Sequence, residues 1–445
     1  MESTDVAVIG GGPAGLAAAA EAAQQGLGVV LIEAERLGAR ATHRTQLPAR
    51  VLGYEARRRP TRAPSEGPID PSTWQELQQR VAAVSARWAE RERLRMEDRG
   101  VSVRRGAARF TSPTTLAVGD AELAFDRCIV ASGARARSLP GLEVDGARIL
   151  HPDHLVGLEA LPGSVLVIGG DTAGAEIADT LNRLGCTVAW IMDAYGILPS
   201  FDREIGEAYG DVLMERGVKL VHGKAAQHLD LDDKGRPRVT LEGGQTYWGD
   251  AIVLALGSEP RVEELAPSEA GLRVRGNGAL ETDARCGTSV PHVFAAGECT
   301  GWVLDRASSE SMGRRAGRRA ADLEVDALVP GRFVRAAYVE PEIAQVGLTP
   351  EQAAGQAVMI RGLGYDESQI GLLEGVGESD HAKGFVRIVL DHDGTVRGGT
   401  AVGPRAAELM GQLALAMHVG ATEEALADFF PPQPSLLDIL SKGFR

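Results

Sequence analysis

The sequence predicts an α/β protein: two Rossmann-like dinucleotide-binding domains followed by a C-terminal α+β domain. Three stretches carry that prediction. DVAVIGGGPAGLAAAAEAAQQGLGVVLIE, residues 5–33, reads as strand, glycine turn, helix and strand. SVLVIGGDTAGAEIADTLNRLGCTVAWIMD, residues 164–193, repeats the pattern, so the chain carries two βαβ units. From about Gly331 the texture changes: GFVRIVLDHDGTVRGGTAVG reads as a hairpin turning at Asp393-Gly394, and AAELMGQLALAMHVGA as an apolar-faced helix.

The remaining segments fall between these. RRRPTRAPSEGPIDPS, residues 57–72, is a polar, proline-rich loop, and a long amphipathic helix is expected over 72–98. The expected division is one dinucleotide-binding domain over 1–150 and 260–330, a second over 151–259, and an interface domain over 331–445. A chain of 445 residues is long enough for two or three such domains.

Composition narrows the function classes. The net charge of −14 argues against nucleic acid or an anionic membrane as partner, since both call for excess Lys and Arg. No apolar run approaches the length of a bilayer span. The cysteines Cys128, Cys186, Cys286 and Cys299 are scattered and form no C-x-x-C pair, which suits reduced thiols in a cytoplasmic protein; no metal site is expected.

The first βαβ unit meets every demand of a dinucleotide fingerprint. Gly10 makes the tight turn, Gly12 admits a pyrophosphate, and Gly15 lets helix pack on strand. The helix opening at Pro13-Ala14 offers free N–H groups and a positive dipole end. Glu33, ending the next strand, can accept from a ribose hydroxyl. The bland alternative, a glycine turn that only packs helix on strand, leaves the acid unexplained.

Further segments carry a family likeness. CIVASGARARSLPG places Ala131-Ser132-Gly133, VPHVFAAGECTG places Gly297-Glu298, and EPEIAQVGLTPEQA with GGTAVGPRAAELM lie in the C-terminal domain. With the two βαβ units, the chain resembles the flavoprotein disulfide reductases over essentially its whole length. That resemblance implies FAD in the first site, NAD(P) in the second and a homodimer formed by the C-terminal domain. Gly297-Glu298 would then lie at the ribityl chain, with Glu298 one methylene longer than the family's Asp. The helix after Asp305 would point its N-terminus at the flavin. Glu176 would pair with Arg50, which stands for the family's Lys near flavin N5.

The likeness also exposes departures. The family's two redox cysteines fall on Ala41 and Gln46 of GARATHRTQLPAR, and its His-Glu dyad, supplied by the partner subunit, on Gln433 and Asp438. No thiolate remains at Ala41 or Gln46 and no titratable His at Gln433, so disulfide chemistry is expected to be absent. The vacated pocket is expected to be lined by Thr42, His43, Arg44, Thr45 and Gln46, with Gln433 and Asp438 of the other subunit. Catalytic candidates are Arg50, Glu176, His43, Gln46, Gln433 and Asp438, with His43 the one base candidate in its segment.

In the second βαβ unit Asp171 replaces the middle glycine between Gly169 and Gly174. Its bulk and charge oppose a pyrophosphate. Met192 stands where the ribose acid belongs, with Asp193 next to it. Two readings stay open: a weakened NAD(H) site, or a scaffold without nucleotide. The expected function is an FAD-dependent oxidoreductase moving hydride between flavin N5 and a small organic substrate. The alternatives are an NAD(P)H-dependent flavin oxidoreductase and a non-catalytic flavoprotein scaffold.

Overall fold

The computed structural model describes residues 2–302, 305–373 and 384–442. In the first unit the parallel strands Glu2–Ile9, Val29–Glu33, Ser102–Arg105, Ala121–Val130 and Val293–Ala295 form the sheet. Val8 pairs with Leu31 on one side and Ile129 on the other. Two short antiparallel strands, Ala108–Ser112 and Thr115–Val118, extend one edge. The helices Pro13–Gln24 and Arg306–Ala320 pack together on one face, over Val6, Val8, Leu31 and Ile129. Each fully buried large apolar side chain of this kind contributes roughly 1.5–3 kcal/mol.

The second unit repeats the plan. Strands Ser164–Ile168, Thr187–Ile191, Lys219–Val221 and Ala251–Leu254 are parallel, and helix Thr172–Arg183 follows the first of them. Ile149–Leu150 also pairs in this sheet, with Ile252 and Val253, so the second unit begins slightly before residue 151. The third unit is an antiparallel five-stranded sheet, Arg335–Ala337, Ile343–Gly347, Val396–Val402, Phe385–Asp391 and Val358–Gly364, covered by helix Ala406–His418. The hairpin turns at Asp393-Gly394, where Gly394 has φ +82°. Residues 443–445 of the expected third span lie outside the described residues.

Helix Pro71–Asp98 spans the loop region of the first unit. Asp70 caps it by accepting from the Ser72 and Thr73 amides, and Pro71 occupies its first turn, where no N–H is needed. Its inner face carries Trp74, Leu77, Val81 and Met96, at helical spacing, but also the buried polar residues Ser85 and Glu92. The segment from Ala39 to Arg57 is not one helix. Ala39–His43 and Gln46–Arg57 are separated by a break at Arg44-Thr45, where Thr45 has φ −119° and ψ −89°.

Candidate functional site

The first glycine turn is shaped for a dinucleotide. Gly10 has φ +104°, and a side chain there would meet the Ala131 carbonyl. A Cβ at Gly15 would lie 1.8 Å from the Gly10 carbonyl oxygen, so only glycine lets the helix start this close. At Gly12 the space is open, with the nearest atom to a Cβ at 3.7 Å, and no side chain caps the helix that begins at Pro13. Ala14 packs beside Gly297, where a side chain would clash with it. The helix end therefore keeps its N–H groups for an anion.

Glu33 reaches back to this turn. Its Oε2 accepts from the Gly11 amide at 2.6 Å and its Oε1 from the Glu35 amide at 2.7 Å, which fixes the carboxylate at the mouth of the turn. Each oxygen keeps a lone pair for a ribose hydroxyl. On the far side, Ala131 is tied to Ile9, Ser132 Oγ is buried beside the Cys299 sulfur, and the Gly133 carbonyl accepts from the Arg261 amide. Glu298 accepts from Ser258 Oγ at 3.3 Å. Burial raises the Glu298 carboxyl above its ordinary value, against the pull of nearby Arg40. These residues fit FAD.

Beside this site runs a cleft of about 1290 Å³. Ala41, Gln46, Leu47, Arg50, Trp88, Arg306 and Tyr338 are among its lining residues. Arg50 donates to Glu176 Oε2 in an ion pair, the Tyr338 amide donates to Glu176 Oε1 at 2.9 Å, and the Arg50 guanidinium lies 4.1 Å over the Tyr338 ring. Arg306, the first residue of its helix, is held by Glu310 at 2.8 Å and Glu92 at 3.4 Å, over the Trp88 ring at 4.7 Å. Asp305 caps that helix through the Ser308 amide. Two guanidinium groups are thus fixed on the cleft wall by partners that leave them little freedom.

Of the five residues over 42–46 expected to line the pocket, only Gln46 is on the cleft wall; Thr42, His43, Arg44 and Thr45 are not. The His43 Nε2 lies 2.9 Å from the Leu37 carbonyl, off the cleft wall. Arg44 is exposed and pairs with Glu35 at 2.7 Å. Asp438 is 1% exposed inside its own chain, in the segment that supplies Leu436, Ile439 and Leu440 to an apolar cluster. Gln433, in contrast, is exposed, at a cis peptide bond to Pro434. Trp88, Arg306, Glu92 and Tyr338 were not singled out by sequence. The one local signal was Glu92, a charge on the apolar side of an amphipathic helix.

All four cysteines are free and buried, and none lines the cleft. Burial pushes Cys186 and Cys286 up to about 12 and Cys299 to about 11, so none is a ready thiolate. Among the described residues no helix is long and apolar enough to cross a membrane.

Comparison with known proteins places this architecture. Residues 4–320 match the model of the pyridine nucleotide-disulphide oxidoreductases, and residues 334–442 match that family's dimerisation domain, which supports a homodimer. The chain is 30% identical to dihydrolipoyl dehydrogenase 2 of Haloarcula marismortui, covering 99% of this chain and 96% of that one. It is 28% identical to a dihydrolipoyl dehydrogenase of Bacillus subtilis, covering 99% and 97%. Among solved structures, LpdA of Mycobacterium tuberculosis superposes with a TM-score of 0.90 at 27% identity, over 99% of each chain. The fold, the FAD-shaped first site and these matches agree: the chain belongs to the pyridine nucleotide-disulphide oxidoreductase family of FAD-dependent flavoproteins.

Proposed function

We propose that this family member is an FAD-dependent oxidoreductase that oxidises a small organic substrate and does not act on disulfides. The observation that carries the reading is the cleft itself: Ala41 and Gln46 line it and no sulfur does. FAD, when bound, supplies a two-electron acceptor. Gly10, Gly12, Gly15 and Glu33 would hold its dinucleotide part, with Ala131-Ser132-Gly133 and Gly297-Glu298 alongside. The four free thiols suit a reducing cytoplasm.

The chain's own groups define what the cleft can do. Gln46 offers an amide donor and acceptor that can orient a hydroxyl, amine or carbonyl, but it cannot titrate. Arg50 and Arg306 are fixed positive charges that favour electron density arriving beside them. Tyr338 can donate a proton or hydrogen bond: burial pushes its phenol up, against the pull of Arg50, so it stays neutral at physiological pH. Gln433 of a partner subunit, where the family carries a base, would add a second neutral amide.

The test is made on the purified holoenzyme under anaerobic conditions. Dihydrolipoamide and dithiothreitol should leave the flavin oxidised, and lipoamide and an aromatic disulfide should not be turned over. Reduction of the flavin by either dithiol within seconds would sink the reading, as would purification without flavin under conditions that retain it in relatives.

A further inference from the structure

The two βαβ units of this chain are built on one backbone plan, so each serves as a control for the other. Gly10 and Gly169 occupy matching places, each following the last residue of its first strand, with φ +104° and +124°. The Gly10 amide donates to Ile32 and the Gly169 amide to Ile191, so Glu33 and Met192 are equivalent positions. A Cβ at Gly15 would strike Gly10 at 1.8 Å, and one at Gly174 would strike Gly169 at 2.0 Å. Gly12 has φ −77° and ψ −176°, and Asp171 has φ −89° and ψ −173°. The main chain is the same; the side chains are not.

From this contrast we infer that Asp171 and Met192 close the second dinucleotide fold, and that the enzyme does not use NAD(P)H as its electron partner. In the first unit the helix N-terminus has no side-chain cap. In the second, Asp171 Oδ1 accepts from the Thr172 amide at 2.8 Å and from Ser200 Oγ at 2.7 Å, with Thr172 Oγ1 at 3.2 Å. The helix end that would receive a pyrophosphate already holds a carboxylate, supplied by the chain and pinned from the opposite loop. A phosphate approaching it meets a like charge and must displace three hydrogen bonds.

The ribose contact is lost as well. In the first unit the Gly11 amide donates to Glu33. In the second, the equivalent Gly170 faces the thioether arm of Met192, a residue 1% exposed, and the loop from Asp193 to Ser200 presses on it. A Cβ at Gly170 would lie 2.2 Å from the Gly196 carbonyl oxygen, and the Leu198 amide donates to the Gly170 carbonyl at 2.8 Å. Asp193, the neighbouring acid, is exposed, and its Oδ1 accepts from the Tyr195 amide at 3.0 Å, folding that same loop. The pyrophosphate contact is therefore filled from within by Asp171, and the position equivalent to Glu33 holds a buried thioether in place of an acceptor. The electrons that leave the enzyme must go to an acceptor that needs no dinucleotide fold.

The experiment uses the FAD-loaded protein, with NADH and NADPH as probes. Calorimetry should give no binding of either up to about 1 mM, a bound of about −4.1 kcal/mol. Anaerobic mixing should leave the flavin absorbance unchanged over minutes. Asp171→Gly should gain NADH affinity by at least tenfold over the wild-type limit, about 1.4 kcal/mol. Asp171→Asn, which can still cap the helix without the charge, should gain less. Flavin content and thermal melting of each variant establish that it is folded. Binding of either nucleotide by the wild type below about 100 μM, or bleaching of its flavin within seconds, would overturn the inference. A folded Asp171→Gly protein that gains nothing would overturn the role of Asp171. Neither result bears on dithiol reactivity, so this exclusion and the disulfide-free cleft fail separately.

Discussion

The Arg50 guanidinium stacks on the Tyr338 ring at 4.1 Å while donating to Glu176, so a residue of the first unit, one of the second and one of the third meet at a single point on the cleft wall. A planar cation is needed for both contacts at once. Arg50→Lys keeps the charge but gives up the stacking and the fork geometry. Arg50→Met leaves the Glu176 carboxylate buried with only the Tyr338 amide as partner, and is expected to cost about 2–3 kcal/mol in urea unfolding of the holoenzyme, with the Lys variant in between. Equal stability of all three proteins would show that the ion pair carries no net energy.

Copying the second turn onto the first should abolish flavin binding. Gly12→Asp places a carboxylate on the same backbone conformation that Asp171 adopts, at a helix end that now has no cap. The protein is expected to fold, because the space beyond Gly12 is open to 3.7 Å, but to purify colourless. Added FAD should bind at least about a hundredfold more weakly, a difference of about 2.7 kcal/mol. A yellow Gly12→Asp protein would contradict the placement of the pyrophosphate.

Glu33→Gln should separate two tasks of that carboxylate. The amide oxygen can still accept from Gly11 at 2.6 Å, but the Glu35 amide, now at 2.7 Å from an oxygen, would face an NH2 group. FAD affinity is expected to fall by roughly tenfold or more, the effect of losing one charged acceptor, about 1.5–3 kcal/mol. Titration of the apoprotein with FAD, followed by flavin fluorescence, measures it.

Burial raises the Glu298 carboxyl, and Arg40 and Ser258 oppose the rise. A folded-state value above the unfolded one favours the protonated form in the folded protein. The stability from this group is therefore full at acid pH and is lost as pH rises through the raised value. Glu298→Gln should remove that loss, so the melting temperature of the apoprotein should fall less between pH 4 and pH 7 in the variant than in the wild type. Arg40→Ala should do the reverse, since it removes the attraction that holds the value down. It also breaks the bidentate bond from Arg40 to Asp153, at 2.5 and 2.6 Å, which joins the segment after the first turn to the second unit. A pH dependence identical in all three proteins would clear Glu298 of the effect.

What the sequence made legible was local. The glycines, Glu33, the helix over 72–98 and the hairpin at Asp393-Gly394 follow from short patterns with steric causes, and the structure has them. Asp171 was visible as an intruder, but its capture by Ser200 was not, because the two lie 29 residues apart and no local pattern links them. The family likeness puts His43 at the pocket, but its ring is engaged with the Leu37 carbonyl, off the cleft wall. Asp438 follows from the likeness of QPSLLD to the family's dyad segment, and such a match carries no information about depth. Arg306 and Trp88 meet across more than 200 positions of chain, and only the packing of the long helix against the helix after Asp305 brings them together.

The buried thiols have a consequence for the conditions in which this enzyme can work. A relative that relies on a reactive cysteine pair is open to alkylating agents and peroxide, which attack the thiolate. Here the cleft offers no sulfur, and burial holds the four thiols in the neutral form. Iodoacetamide should leave the four thiols of the folded protein unalkylated, and hydrogen peroxide should spare them too and act first on exposed methionine such as Met214, so the damage an oxidant does to this protein should begin at a thioether on its surface.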